Sequence, residues 1–183
     1  MILVSITGAS GIPIAYKLLK KLKDTGNKTE LIISKGGKTV LNAETEITES
    51  DLKNFTEKTY NANDLTAAPA SGSHKYKAMV IIPCSMKTLA SIAHGYADNL
   101  ITRAADVCIK EKRRLILIVR ESPLSVIHLE NMLKLAKLGV IIAPPIPAFY
   151  IKPKTLEEIL EHLVGRILDL LDIETEFPRW GNE

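Results

Sequence analysis

The chain has little of what marks a secreted, metal-bound or membrane protein. Only two cysteines occur in 183 residues, Cys84 and Cys108, with no Cys-x-x-Cys pair and no histidines at ligand spacing. That argues against a disulfide framework and a zinc site, and it fits a reducing compartment, the cytoplasm. No apolar run approaches bilayer length. Met1 to Thr7 lacks a basic leader and a cleavage site, so it is expected to be a strand and not a signal peptide. Charge of one sign is also missing: 24 Lys+Arg against 21 Asp+Glu leave +3, too mild for a nucleic-acid partner but compatible with a local basic pocket for a small phosphorylated molecule. Neither Gly-x-Gly-x-x-Gly nor a P-loop is present, and no repeat or low-complexity tract interrupts the chain.

What remains is ordinary in bulk and specific in pattern. A hydrophobic share of 46% with 25% charged residues is enough to build a core without staples, and no boundary signal divides residues 1–183, so a single domain is expected. Short β-branched runs at Ile2–Thr7, Glu30–Ser34, Ala78–Pro83, Leu115–Val119 and Gly139–Ala143 alternate with amphipathic segments. Five strands alternating with helices predict an α/β fold, a doubly wound parallel sheet of Rossmann-like form, which binds its ligands at the carboxyl ends of the strands.

Small and polar residues collect at those ends. Gly8-Ala9-Ser10-Gly11 follows the first strand, with Pro13 in the first turn of the next helix, where a missing N–H costs nothing. Alone, this motif is weak, and a plain strand-to-helix turn is the expectation ahead of a ligand cradle. Ser34 precedes a helix expected from Lys38 to about Glu44, as a cap or a ligand contact. Glu44 and Glu46 fall near that helix's end, where a carboxylate opposes the dipole and exposed surface charge is the plain expectation. Ala78 to Pro83 delivers Cys84, Ser85 and Thr88 to a helix N-terminus suited to an anion or a polar ring edge. Arg120-Glu121 places opposite charges together at a strand end, where each influences the other's ionisation. The long polar stretch Thr45–Lys77 is expected to hold a helix near Ser50–Thr56 and a loop near the ligand, with His74 a loop residue. Prolines 144, 145 and 147 stiffen the segment that aims Tyr150, and Thr155 is predicted to cap a last helix running to about Asp172.

These segments in unbroken order resemble one family. Gly8-Ala9-Ser10-Gly11, Ile33-Ser34-Lys35, Pro69-Ala70-Ser71-Gly72-Ser73, Pro83-Cys84-Ser85, Asp98-Asn99-Leu100 with Arg103-Ala104-Ala105-Asp106-Val107, Arg120-Glu121, His128-Leu129-Glu130-Asn131-Met132, Pro147-Ala148-Phe149-Tyr150 and Pro178-Arg179-Trp180-Gly181 resemble the flavin prenyltransferases, part of a flavoprotein group that includes cysteine decarboxylases. The resemblance implies reduced FMN as prenyl acceptor, dimethylallyl phosphate as donor, and new bonds at flavin N5 and C6. It also implies no metal, and a partner decarboxylase that uses the prenylated FMN. Gly8, Ala9, Ser10, Gly11, Ser34, Ser85, Thr88 and Arg120 match flavin contacts. Arg103, Lys110, Arg120, Tyr150 and Arg166 match the prenyl-phosphate site, and Trp180 an aromatic wall beside the allyl group. Ser10 and Glu44 match a proton relay near N5, and Glu121 a carboxylate that passes a proton to the leaving group or the flavin. Such a protein is expected to be a homo-oligomer, with a dodecamer among the sizes open, and its tail from about residue 173 to 183 is expected to pack on a neighbouring subunit. Neither nucleic acid nor membrane is an expected partner.

Two departures stand out: Ile12-Pro13-Ile14-Ala15-Tyr16-Lys17 where relatives place an earlier Tyr-Gly pair, and Met86-Lys87 where they carry smaller residues, with Lys87 facing either phosphate or solvent. Two other readings compete. A flavin-dependent cysteine decarboxylase carries a Pro-x-Met-Asn-x-x-Met-Trp motif, which is absent here, and a non-catalytic flavin carrier of flavodoxin type has a Ser/Thr-rich phosphate loop after its first strand, also absent.

Overall fold

The computed structural model describes residues 1–181, so Asn182 and Glu183 of the expected tail lie outside the described residues. Six parallel strands form one sheet: β1 (Ile2–Ile6), β2 (Thr29–Ile33), β3 (Lys58–Asn61), β4 (Ala78–Cys84), β5 (Arg114–Val119) and β6 (Ile141–Ile142), in the order β3-β2-β1-β4-β5-β6. β1, β2 and β4 are buried along their whole length, because helices cover both faces, and this is why they appear as continuous apolar runs and not as an alternation.

The helices are α1 (Ile12–Asp24), α2 (Lys35–Glu44), α3 (Glu49–Lys53), α4 (Met86–Ala93), α5 (Leu100–Lys110), α6 (Val126–Lys137) and α7 (Leu156–Leu170). Val4, Ile6, Val80 and Ile118 point to one face, where Leu18 and Leu22 of α1, Leu41 of α2 and Leu163 and Ile167 of α7 cover them. Leu3, Met79, Ile81 and Leu117 point to the other, under Leu89 of α4, Ala104 and Cys108 of α5 and Leu135 of α6. The chain winds one way from β1 to β3 and the other way from β4 to β6, so the order reverses between β1 and β4. Ligands of such sheets sit at this crevice.

The sheet has six strands where five were expected. β3 escaped notice because it is a short edge strand of Lys58, Thr59, Tyr60 and Asn61, in which only Tyr60 is buried. Capping also moves several helix starts from their expected places. Ser34 Oγ accepts from Gly37 N at 3.0 Å, starting α2 at Lys35. Thr48 and Asp51 form a reciprocal box ahead of α3, and Asn99 caps α5 through the amides of Ile101 and Thr102. Thr155 caps α7 as predicted.

On α6, His128 Nδ1 accepts from Ser125 N, completing a cap, and Asn131 is buried. Its apolar residues Val126, Ile127, Leu129 and Leu133 are all more than half exposed in the single chain. His74 proves structural: its Nε2 lies 2.8 Å from Glu30 Oε2, while the Tyr60 hydroxyl donates to Glu30 Oε1 at 3.0 Å.

Candidate active site

Two strand ends meet around one threonine. The buried Thr7 hydroxyl donates to Pro83 O at 2.7 Å and accepts from Ser85 N at 2.9 Å, which binds the end of β1 to the end of β4. Next to it, α2 starts almost against β1: a Cβ on Gly37 would stand 2.7 Å from Ile6 O, and one on Gly8 would stand 3.1 Å from Gly36 Cα. Only hydrogen at these positions lets the two backbones approach so closely. Neither Thr7 nor Gly37 was singled out from the sequence, although a polar residue ending an apolar run was a visible signal for the first.

Glu44 is the central carboxylate. It ends α2, yet its Oε2 reaches over the neighbouring loop and accepts from Gly11 N at 3.0 Å and Ile12 N at 3.1 Å, at the N-terminus of α1. Burial is the largest single influence on its ionisation and disfavours the charge. The Ser10 hydroxyl, the two amides and the Arg120 guanidinium together outweigh it, so the carboxyl titrates below its ordinary range. The sequence-level expectation of idle surface charge is therefore wrong for Glu44, because tertiary folding lends it a second helix terminus of favourable sign.

Ser34 and Ser85 lie at the N-termini of α2 and α4. Ser85 Oγ accepts from Thr88 N at 3.3 Å and shares a 3.1 Å hydrogen bond with Thr88 Oγ1. Each serine oxygen accepts from a backbone amide, and the Ser34 hydroxyl proton is left available to a ligand. Arg120 and Glu121 are exposed at the end of β5. Arg120 makes no ion pair among the described residues, and Glu121 Oε1 accepts from Ser122 N at 2.9 Å. Lys87 stands in solvent, 4.0 Å from Asp98.

A second cluster adjoins the end of β5. A cavity of about 280 Å³ is lined by Ile118, Ala143, Pro144, Tyr150, His162 and Arg166, among others. The Tyr150 hydroxyl lies 2.9 Å from His162 Nε2, and the Tyr150 ring meets Trp180 edge-on at 5.2 Å. His162 is buried, and burial and then the Arg166 charge push its pKa down, so it is neutral near pH 7. Within one chain the tail thus lies on α7 and Tyr150.

Arg103 and Lys110 do not join this cluster. Both project from α5, on the opposite face of the sheet from α7. Arg103 donates to Ala70 O at 3.1 Å and pairs with Asp106 at 2.6 Å, and Lys110 pairs with Glu111 at 2.7 Å. The structure brings together Ser10, Glu44 and Arg120 on one side, and Tyr150, Arg166 and Trp180 on the other. It leaves two of the five predicted phosphate ligands elsewhere. Among the described residues no three of His, Cys, Asp and Glu are grouped to hold a metal ion, and no helix is long and apolar enough to cross a membrane.

Known proteins share this arrangement from end to end. A family model described as Flavoprotein matches residues 1–168. The flavin prenyltransferase UbiX of Methanocaldococcus jannaschii is 49% identical over 181 residues, covering 98% of this chain and 98% of that protein. The crystal structure of AnUbiX (PadA1) in complex with FMN and dimethylallyl pyrophosphate superposes with a TM-score of 0.97 at 44% identity, over 100% of this chain and 97% of that one. A dodecameric FMN-dependent UbiX-like decarboxylase from Escherichia coli O157:H7 superposes with a TM-score of 0.96 at 45% identity, over 99% of each chain. Family match, full-length identity and whole-chain superposition agree, and the chain belongs to the flavin prenyltransferase family of flavoproteins.

Proposed function

We propose that this chain joins a dimethylallyl group from dimethylallyl phosphate to N5 and C6 of reduced FMN, releasing phosphate and making prenylated FMN for a decarboxylase that uses it. The observation that carries the reading is the pairing of an ionised Ser10–Glu44 relay and an unpaired Arg120 with an adjoining cavity that holds Tyr150 and Arg166. The chain's own residues suit a flavin. The Ser34 and Ser85 hydroxyls and buried Thr88 sit at helix N-termini, and Gly8 and Gly36, packed backbone to backbone, bring the start of α2 close to the loop after β1. When bound, reduced FMN supplies the electron-rich ring that attacks the allyl carbon.

The protein's part is to make phosphate leave and to move protons: N5 loses a proton as it takes the allyl carbon, and closure at C6 needs one proton added to the allyl double bond and one removed from C6. A departing phosphate carries growing negative charge, and guanidinium groups from Arg120 and Arg166 with the Tyr150 phenol stabilise it more as the C–O bond lengthens. Glu121, exposed beside Arg120, is placed to pass a proton to the leaving oxygen. Ser10 and Glu44 take up the proton shed at N5; the contacts that lower the Glu44 pKa keep it in the ionised form that can accept a proton, at the cost of some basicity. Trp180 presents its ring as a wall that stabilises an allyl cation.

Arg103 and Lys110 reach a phosphate only from another copy of the chain, which makes the working unit a homo-oligomer. The exposed apolar face of α6 and the full-length likeness to a dodecameric protein support assembly, with a dodecamer as the proposed size. The outer side of Trp180, 80% exposed in the single chain, gives the tail a surface for the neighbour. Two free, buried thiols support a reducing, cytoplasmic setting.

The test is anaerobic incubation with FMN, a reductant and dimethylallyl phosphate or diphosphate, followed by mass analysis of the flavin. A flavin heavier by one dimethylallyl unit is expected. An unchanged flavin overturns the proposal; loss of carbon dioxide from a cysteine substrate would establish the decarboxylase in its place, and bound FMN with neither reaction the carrier.

A further inference from the structure

We propose that Asp169 is a positioning residue for prenyl transfer, one carboxylate that holds both the tail residue Arg179 and the cavity residue Arg166, so that the seat of Trp180 and the reach of Arg166 are set together. The role in transfer rests on the function proposed above; the clamp itself rests on geometry alone.

The geometry begins with spacing on α7. Arg166 and Asp169 are three residues apart, so their side chains share one helix face. Arg166 Nη1 donates to Asp169 Oδ2 at 2.8 Å. Arg179, arriving from the tail, donates Nη1 to Oδ2 and Nη2 to Oδ1, both at 2.8 Å, the two-pronged form that fixes direction as well as distance. The Asp169 side chain is 19% exposed, against 56% for Arg166 and 38% for Arg179, so the anion sits beneath its two cations. Arg179 holds its carboxyl below the ordinary range against the opposing effect of burial, and Arg166 adds to this.

A second, uncharged contact seats the same strap. Phe177 lies across α7 where a Cβ on buried Gly165 would stand 2.5 Å from its ring, a gap that only glycine leaves open. That ring meets His162 edge-on at 5.5 Å and carries the Arg179 guanidinium 4.2 Å from its centre. The residue after Arg179 is Trp180, held against Tyr150, whose hydroxyl is tied to His162. Phe177, Arg179 and Trp180 are thus three anchors over about two turns of α7 and the cavity it lines.

The carboxylate has a further use. Without it, two guanidinium groups would face each other with no anion between them, and the tail would be pushed away. With it, a phosphate can draw Arg166 off while both bonds to Arg179 persist, so the wall stays in place as substrate binds. A tail that merely patches the surface would not need this arrangement.

The experiment uses the full-length assembled protein and its single tryptophan, Trp180. Fluorescence anisotropy decay, recorded without flavin or substrate, should show Trp180 turning with the whole particle. Asp169→Asn and Gly165→Ala should each raise the amplitude of fast local motion at least about twofold, while Asp169→Glu, which keeps the charge, should restore most of the order. In the prenylation assay, kcat/KM for dimethylallyl phosphate should fall about tenfold to a hundredfold in the first two variants, the range expected for a misplaced site group. Arg179→Met added to Asp169→Asn should cost no more, since both act through one clamp. Gly165→Ala changes no charge and favours helix, so it carries the test if Asp169→Asn fails to fold. Unchanged anisotropy in both variants overturns the clamp. Loosened tails with unchanged kcat/KM, or fully additive losses, overturn the role in transfer. A wild-type protein that makes no prenylated flavin overturns the function proposed above, and with it the role in transfer, while the anisotropy still decides the clamp.

Discussion

Glu44→Gln separates what the carboxylate does for the fold from what it does for the reaction. Glutamine keeps the shape and an oxygen that can accept from Gly11 N and Ile12 N, the two amides now 3.0 and 3.1 Å from Oε2. What is lost is charge: about 0.3–1 kcal/mol from the dipole at the start of α1, and the difference between a charged and a neutral acceptor, about 1 kcal/mol. Glu44 is exposed, so screening holds the sum near the lower end, about 1 kcal/mol, or about 2–4 °C in Tm for a chain of this size.

The expected catalytic cost is much larger. An amide cannot accept the proton shed at N5, and loss of a general base lowers a rate by about 10²–10⁴-fold. Single-turnover prenylation, followed anaerobically by flavin mass well below both melting temperatures, measures one effect, and thermal melts of the same samples the other. A rate lowered by less than about 10²-fold refutes the relay, because that is the least a working base contributes. The pH dependence gives an independent check. The folded pKa of Glu44 lies below its unfolded value, so its contribution is present above the unfolded pKa of about 4.3 and is lost as pH falls through the folded pKa. The stability gap between wild type and Glu44→Gln should be constant near neutrality and close on acidification; a gap that widens in acid contradicts the assignment.

Other substitutions probe the frame around that site. Gly37→Ala, which sets a methyl against Ile6 O at 2.7 Å, should cost about 1–3 kcal/mol in urea unfolding and weaken FMN binding, and unchanged values would show that the backbones can separate freely. Thr7→Val leaves Ser85 N without its acceptor, while Pro83 O keeps the Thr7 amide at 3.2 Å, and should cost about 1–3 kcal/mol; a stability equal to wild type would mean that water replaces the hydroxyl. Leu133→Lys, on the bare face of α6, should shrink the assembly seen by light scattering and leave the melt of the single chain little changed; an assembly of full size would place the interface elsewhere.

The fold was legible where burial forces a pattern. β1, β2 and β4 are covered on both faces, so they had to be unbroken apolar runs, and the turns after them had to be small and polar. β3 obeyed no such demand. Its outer edge faces solvent, one buried Tyr60 suffices to anchor it, and Lys58 and Asn61 look like loop residues. Helix starts slipped by a few residues for a related reason. Ser34 commits to capping through a hydrogen bond worth about 1 kcal/mol, a choice that hydrophobic periodicity does not register.

The site divides along a different line. Residues proposed to touch a ligand carry polar or charged chemistry at or just beyond strand ends, so Ser10, Ser85, Arg120 and Tyr150 could be picked out one by one. Residues that act on other residues carry no such mark. Glu44 resembles surface charge until the fold shows that it caps a helix beginning 32 residues earlier in the chain. Asp169 resembles one more acid on an amphipathic helix until the tail returns Arg179 to it. Arg103 and Lys110 mark the remaining step: α5 holds them on the far face of the sheet from Arg166, so one chain does not gather at one point the five residues proposed for the phosphate. If they serve one phosphate, symmetry between copies must do what topology within a copy forbids. Residues on α5 that within the monomer are paired only for structure, Arg103 with Ala70 O and Asp106 and Lys110 with Glu111, would then be as necessary to the proposed reaction as those of the flavin site.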